Sequence, residues 1–367
     1  MNNPTTIKKK ICIVTSSLGK GGAEKSSSVL SILLDNLGYE VHVISILNSI
    51  DYEYKGTLLN LGALKDKDNS FFGTLKRFLI FFNYLRSHKF DFIIDSRSRP
   101  SIVKQLLINK SLYINEKVIF IVHSAFLQNY IPDNKFIATY LYSQAFKFVA
   151  VSKSIKSQII KKYDLENIEV INNAVNETST TSINELVQLP EKFMLYFGRI
   201  DDEVKNLTLL IDSYKRSDLI NNKINLVILG DGKDKIKLEQ KVHDMRLDEH
   251  VVFLPYTKNP YPIVSKAFCT VLTSKYEGFP TMLVESLFLG TPVISVNCES
   301  GPSEIILDNQ NGLLVDNYNP DLIAEAMNRF VTDKDLYALC KSNAKKSVDK
   351  FSMENISKNW ERIIESV

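Results

Sequence analysis

Residues 274–285 read Ser-Lys-Tyr-Glu-Gly-Phe-Pro-Thr-Met-Leu-Val-Glu and set two carboxylates, Glu277 and Glu285, on either side of a Gly-Phe-Pro turn. The run before them, Ala267-Phe268-Cys269-Thr270-Val271-Leu272-Thr273, predicts a short buried strand. The apolar residues after Pro280 predict a helix with proline at its start. Strand, glycine turn and helix in that order belong to an open α/β sheet, where ligands settle at the carboxyl ends of the strands. Free backbone amides at such a helix start favour a phosphate. Acids on either side would then hold hydroxyls, so the stretch points to a sugar phosphate rather than a bare anion.

Outward from this stretch, apolar strand-like runs alternate with longer amphipathic ones. The first series has strands at 11–15, 41–46, 92–94, 118–122 and 147–151, with a helix over 24–37. A polar, Ser/Thr-rich segment at 176–192 reads as an interdomain linker. A second series follows, with strands at 193–197, 224–229, 251–254, 268–273 and 292–296. Such alternation predicts parallel sheets covered by helices on both faces. At 367 residues, two domains are expected. In the tail, Met353, Ile356, Trp360, Ile363 and Ile364 recur at helical spacing, which predicts a docked helix over 353–367.

Composition narrows the class. The four cysteines, Cys12, Cys269, Cys298 and Cys340, are scattered, so neither a disulfide framework nor a zinc site is expected and a reducing cytoplasm fits. The amino-terminal residues lead straight into the strand at Ile11 without a signal peptide, and no run is apolar enough to span a bilayer. The net charge of +3 is unevenly shared. Residues 1–180 carry 23 Lys+Arg against 15 Asp+Glu, whereas residues 181–367 carry 22 against 27. The basic half makes peripheral contact with an anionic membrane an expectation, with chance in a lysine-rich chain as the alternative. No nucleic-acid partner is expected. The segment Lys76-Arg77-Phe78-Leu79-Ile80-Phe81-Phe82-Asn83-Tyr84-Leu85-Arg86 has two readings, an interfacial helix or a core helix. Apolar residues nearly all round favour the core.

Further glycine turns follow strands. Gly19-Lys20-Gly21-Gly22-Ala23-Glu24 is not GxGxxG, and no acid closes the second strand, which disfavours a dinucleotide site. Gly198-Arg199-Ile200 closes the first strand of the second series, and Lys205 follows six residues after Arg199. Arginine and lysine at a strand end could clamp a diphosphate, or form a solvated surface pair with Asp201, Asp202 and Glu203. The Asp-x-Asp pairs Asp66/Asp68 and Asp333/Asp335 sit in polar segments and read as surface loops rather than metal sites.

Together these motifs resemble the family 4 retaining glycosyltransferases. The resemblance runs over nearly the whole chain: Gly21-Gly22-Ala23-Glu24, His123-Ser124, Val151-Ser152, Asn172-Asn173-Ala174-Val175, Gly198-Arg199-Ile200 with Lys205, Leu229-Gly230-Asp231-Gly232, Glu277 to Glu285, Gly301 to Ile306 and Asn311 to Val315. The chain departs from the family pattern in four places. The step from Arg199 to Lys205 is one residue longer than usual, Asn206 replaces a common glycine, Pro280 stands where glycine is frequent, and Asn172 where proline is.

The resemblance implies the GT-B fold, two Rossmann-like doubly wound domains facing across a cleft. Residues 1–180 would form the acceptor domain, joined by the terminal helix, and residues 190–350 the nucleotide-sugar donor domain. Arg199, Lys205, Glu277 and His123 would be the catalytic set. The two cations would neutralise the leaving diphosphate, Glu277 would hold the donor sugar and His123 would contact that sugar near the reacting carbon. Donor binding would fall to Gly21, Gly22, Gly230, Gly278, Phe279, Pro280, Thr281, Met282, Leu283 and Glu285, with Glu285 on the ribose and the amides of 281–283 on the distal phosphate. No metal or cofactor is expected. The implied partners are a nucleotide-sugar donor, expected to be a UDP-sugar because the 274–280 and 301–306 motifs look most like those of members using UDP-sugars, and a lipid-linked saccharide acceptor of bacterial surface polysaccharide synthesis, used by a cytoplasmic enzyme at the inner face of the membrane. A nucleotide-sugar epimerase and a non-catalytic sugar-nucleotide binder remain open alternatives.

Overall fold

The computed structural model describes residues 8–114, 116–163, 165, 167–176 and 188–366. Most of the expected linker, 176–192, lies outside the described residues. The chain forms two compact units, Met1–Ala174 with Met353–Val367, and Val175–Ser352.

The first unit runs β1 (Lys10–Thr15), α1 (Gly22–Asn36), β2 (Glu40–Ser45), β3 (Thr57–Asn60), α2 (Leu61–Lys67), α3 (Phe71–His88), β4 (Phe92–Asp95), α4 (Ile102–Ser111), β5 (Lys117–Val122), α5 (Lys135–Tyr142), β6 (Lys147–Ala150), α6 (Lys153–Tyr163) and β7 (Ile168–Val170). The second runs β8 (Phe193–Phe197), α7 (Asp202–Lys205), α8 (Leu207–Arg216), β9 (Asn225–Leu229), α9 (Lys235–Asp244), β10 (Val251–Leu254), α10 (Tyr261–Val264), β11 (Cys269–Leu272), α11 (Thr281–Phe288), β12 (Val293–Val296), α12 (Pro302–Ile305), β13 (Gly312–Val315), α13 (Pro320–Thr332) and α14 (Lys334–Ser347). Helix α15 (Met353–Glu365) returns to the first unit.

The sheets have strand orders β3-β2-β1-β4-β5-β6-β7 and β10-β9-β8-β11-β12-β13, and neighbouring strands are parallel throughout. Central strands are near-continuous apolar runs because both their faces are covered: Ile11, Cys12, Ile13 and Val14 are fully buried, as are Met194, Leu195 and Tyr196. In each sheet the chain reverses direction beside its first strand, between β1 and β4 and between β8 and β11. Loops diverge at such switch points and leave room for ligand at the strands' carboxyl ends.

All the expected strands exist, with ends shifted by at most one residue. Three further strands, β3, β7 and β13, are edge strands of three or four residues. Their half-exposed pattern carries little of the apolar signal that marks central strands. Helix α15 buries Ile356, Trp360, Ile363 and Ile364. Lys9 ties its end down through the Ile364 carbonyl (2.7 Å) and Glu365 (2.9 Å), and Arg362 pairs with Glu169 (2.6 Å). Truncating Trp360 would cost about 3–5 kcal/mol.

Helix α3 departs from the core reading. Ser70 caps its start by accepting from the Gly73 amide, but only Gly73, Phe81 and Leu85 are buried, while Phe71, Phe72, Leu75 and Leu79 stand in solvent. One stripe of the helix is sufficient to cover the sheet, so an all-round apolar sequence leaves its other faces bare. The Asp-x-Asp pairs likewise belong to helix ends. Asp66 accepts from Asn48, Asp68 accepts from the Ser70 amide, and Asp333 caps α14 at the Leu336 amide.

Candidate active site

In the second unit the strand ends bring several expected residues together. After β8, Gly198 turns with φ +148° into Arg199 and the short helix α7, which ends on Lys205. Asn206, at the position where glycine is common, adopts the left-handed conformation with φ 53°. Thr273, just past β11, fixes this corner by donating to the carbonyls of Lys205 (3.1 Å) and Asn206 (3.0 Å). The Lys275 amide adds a bond to the Val204 carbonyl at 2.9 Å. The longer loop between the two cations is thus taken up by one helical turn, and Lys205 still reaches Glu277: Nζ and Oε1 lie 2.6 Å apart, both side chains largely buried. Arg199 is exposed, with only a distant approach to Asp201 (3.9 Å).

Gly230 has φ +151°, and a Cβ there would meet the Gly198 carbonyl at 1.9 Å. A Cβ on Gly232 would meet the Ile200 carbonyl at 2.0 Å. Both glycines let the turn after β9 pack directly on the turn that carries Arg199, so they shape the site through backbone fit rather than through open space.

Helix α11 begins at Thr281 with Pro280 as its N-cap residue and no side-chain cap. The Leu283 amide donates to the Pro280 carbonyl (3.0 Å), so the first-turn amides ahead of it are those of Thr281 and Met282. Phe279 is buried and packs edge-on against Phe351, and the side chains of Met282 and Leu283 are buried as well. Any contribution of these three to binding falls to backbone. Ser300 donates to the Gly278 carbonyl (2.7 Å), and Gly301, with φ +103°, approaches Pro280 so closely that a Cβ would stand 2.3 Å from its ring. Glu285 is buried in α11, only 4% exposed. Burial, with the Glu277 charge nearby, pushes the Cys298 thiol up to about 12, so it stays protonated.

In the first unit the loops after β1, β4 and β5 converge. His123 follows β5, and its Nε2 lies 2.8 Å from Ser96 Oγ, just past β4. Ser96 Oγ is in turn 2.7 Å from Ser27 Oγ, and Ser27 donates to the Ala23 carbonyl at 3.0 Å, in the first turn of α1. Each hydroxyl has one proton. Ser27 spends its proton on Ala23, so Ser96 donates to Ser27 and must accept from His123. The imidazole therefore carries its proton on Nε2 and presents a bare Nδ1. That Nδ1 is buried and has no hydrogen-bond partner. Burial, then the nearby Arg99 charge, lowers the His123 pKa to about 3, so the ring is neutral at ordinary pH. A Cβ on Gly22 would meet nothing within 4 Å, and one on Gly21 would meet only the flexible end of Glu24. Here the glycine pair leaves open space.

Behind His123 lies a buried cluster that the sequence reading missed. Asp95 is fully buried and accepts from Arg97 Nε (2.9 Å) and Nη2 (2.5 Å) and from the Tyr113 hydroxyl (3.2 Å). Arg99, also buried, donates to the carbonyls of Asp95 (3.1 Å), Arg97 (2.8 Å) and Ile121 (3.2 Å) and lies over the Phe120 and Tyr130 rings. Burial alone would raise the Asp95 pKa, but the two guanidiniums outweigh it and hold the carboxyl below its ordinary value. The alternating Asp95-Ser96-Arg97-Ser98-Arg99 after a buried strand was the available signal.

Two family models match the chain: Glycosyltransferase Family 4 over residues 20–179, and Glycosyl transferases group 1 over residues 179–347. A relative in Campylobacter jejuni, N-acetylgalactosamine-N,N'-diacetylbacillosaminyl-diphospho-undecaprenol 4-alpha-N-acetylgalactosaminyltransferase, is 29% identical over 96% of this chain and 98% of its own. The amylovoran biosynthesis glycosyltransferase AmsD of Erwinia amylovora is 23% identical over 97% of this chain and 99% of its own. Among solved structures, Anabaena HepE in complex with UDP-glucose superimposes with a TM-score of 0.78 at 17% identity, over 98% of this chain and all of that one. The fold is the two-Rossmann architecture of the GT-B glycosyltransferases. The chain belongs to the family 4 glycosyltransferases.

Proposed function

We propose that this protein is a retaining glycosyltransferase that moves a hexose or N-acetylhexosamine from a UDP-sugar to a lipid-linked glycan acceptor during bacterial surface polysaccharide synthesis. The observation that carries the reading is the Lys205–Glu277 pair at 2.6 Å, next to exposed Arg199 and an uncapped helix start at Thr281. Arg199 and Lys205 neutralise the diphosphate as it gains charge on leaving. The amides of Thr281 and Met282 hold the distal phosphate, Glu277 the sugar hydroxyls and Glu285 the ribose. In the first unit, His123 Nδ1 accepts from a donor-sugar hydroxyl, and Gly21-Gly22 let substrate approach the backbone. The UDP preference is supported by HepE, solved with UDP-glucose, and the lipid-linked acceptor by the undecaprenol-linked substrate in the name of the Campylobacter relative.

The reaction is a same-face displacement in which the bond from the anomeric carbon to the diphosphate breaks as the bond to the acceptor oxygen forms. The leaving phosphate oxygen takes the acceptor proton. No carboxylate need act as a nucleophile, and with its Nδ1 lone pair His123 orients substrate rather than carrying a proton. The test is proton NMR of the product made from a UDP-α-sugar and a short-chain polyprenyl-diphosphate glycan. An α-linked product supports the proposal. A β-linked product overturns it, and an epimerised UDP-sugar formed without acceptor favours the epimerase reading.

A further inference from the structure

Every crossover from β3 to β7 moves in one direction along the sheet, so the right-handed rule places α2, α3, α4, α5 and α6 on one face of the first unit. Contacts agree: Arg86 near the end of α3 pairs with Glu116 beyond α4 (3.5 Å), Lys110 of α4 lies over the Tyr140 ring of α5 (5.2 Å), and Lys162 of α6 pairs with Asp133 ahead of α5. Across these five helices there are twelve Lys and Arg against a single acid, Asp66. By contrast, on the opposite face α1 and the α15 that packs against it carry five acids (Glu24, Asp35, Glu354, Glu361 and Glu365) against three bases (Lys25, Lys358 and Arg362).

The same face is not simply charged. Phe71 is 80% exposed, Phe72 78%, Val103 78% and Phe136 84%, and Leu75, Leu79, Leu107 and Tyr140 are also in solvent. Most lie toward the amino-terminal ends of α3, α4 and α5. Crossover helices run antiparallel to the parallel strands they connect, so this end is the carboxyl edge of the sheet. His123 and the Gly21-Gly22 loop emerge at that same edge. A soluble monomer gains nothing from large apolar side chains in water, whereas a ridge of phenylalanines among lysines suits the boundary of headgroups and acyl chains.

We propose that this face is a membrane-docking surface selective for anionic phospholipid. Phe71, Phe72, Val103 and Phe136 enter the acyl boundary, and Lys76, Arg77, Lys104, Lys110 and Lys135 lie on the headgroup phosphates. The carboxyl edge of the first sheet then rests at the bilayer, where a lipid-linked acceptor exposes its glycan. In this respect the inference rests on the acceptor reading above, but binding to bare lipid needs no acceptor.

The test is co-sedimentation of the full chain with vesicles of phosphatidylcholine alone or with about one-third phosphatidylglycerol. Near such a surface each lysine or arginine multiplies partitioning about fivefold. Wild type should therefore partition at least tenfold more strongly into the anionic vesicles, less so at high salt. Phe71→Ser with Phe72→Ser should lower that partitioning at least tenfold, and Lys76→Glu with Lys104→Glu should do the same. These side chains are exposed, so thermal stabilisation by UDP-sugar should be unchanged. Equal binding to both vesicles overturns the proposal. So does loss of binding in the lysine variant with none in the phenylalanine variant, which marks a site for a soluble polyanion. Vesicle binding without stabilisation by any nucleotide sugar would instead count against the proposed function and leave the docking surface standing.

Discussion

Lys205 Nζ and Glu277 Oε1 are 2.6 Å apart, although 72 residues separate them in sequence and they follow different strands, Lys205 at the end of α7 after β8 and Glu277 in the loop after β11. The pair neutralises Glu277 in the free protein and holds the lysine at the switch point of the second sheet. A diphosphate arriving there meets an oriented cation, and its sugar hydroxyls meet an oriented carboxylate.

The first prediction concerns this pair. Lys205→Ala and Glu277→Gln should each lower kcat/KM by about a hundredfold or more, as removal of a positioned charge-stabilising group does. The double variant should lose little beyond the worse single one, because each substitution already breaks the shared arrangement. Steady-state kinetics with a UDP-sugar decides it, and additive losses would show that the two act independently.

Gly230→Ala should disturb donor binding without touching the donor. Its Cβ would stand 1.9 Å from the Gly198 carbonyl at a φ of +151°, so the turn carrying Arg199 must shift. The expected outcome is a raised donor KM and a stability loss of about 1–3 kcal/mol by urea titration. An unchanged KM would show that the turn does not govern binding.

At His123 the hydrogen-bond chain through Ser96 and Ser27 makes a spectroscopic prediction. Nitrogen-15 NMR should show the proton on Nε2, and Ser96→Ala should mix the tautomers and lower kcat. The folded chain leaves His123 unprotonated until about pH 3, whereas the unfolded chain takes a proton near 6.5. Unfolding therefore takes up a proton between those values, and stability contributed here is full above pH 6.5 and falls as pH drops toward 3. His123→Gln should flatten the decline in urea midpoint between pH 7 and 5. An identical decline would assign it elsewhere.

Asp95→Asn should be among the most damaging substitutions in the first unit. It leaves the buried Arg99 and the partly buried Arg97 charged without their counter-ion, which costs about 3–5 kcal/mol. Asp95→Glu should do little better, since the Arg97 and Tyr113 bonds fix the carboxylate position. A loss below 1 kcal/mol in urea titration would mean that water reaches the cluster.

Legibility in the sequence followed burial. Central strands such as β1, β8 and β11 are apolar on both faces and read directly, while β3, β7 and β13, each paired along one edge only, did not stand out. The order of short motifs pointed to the family. It did not show that Gly230 serves backbone packing while Gly22 leaves open space, because that difference lies in what a Cβ would meet. The run from Asp95 to Arg99 offered a signal of alternating polar and charged residues, but the link from Ser27 through Ser96 to His123 had none, because it forms only when the segments after β1, β4 and β5 converge. The exposed face of α3 was misread because periodicity reports apolar residues, not whether a partner covers them.

The most direct test of the central claim is thermal unfolding of wild type and Glu277→Ala with UDP-, GDP- and ADP-sugars in turn. A UDP-sugar at a hundred times its dissociation constant should stabilise the wild type by about 2.7 kcal/mol, with much of that lost in the variant. Selective stabilisation by GDP-mannose, or an equal response in wild type and variant, would contradict the account.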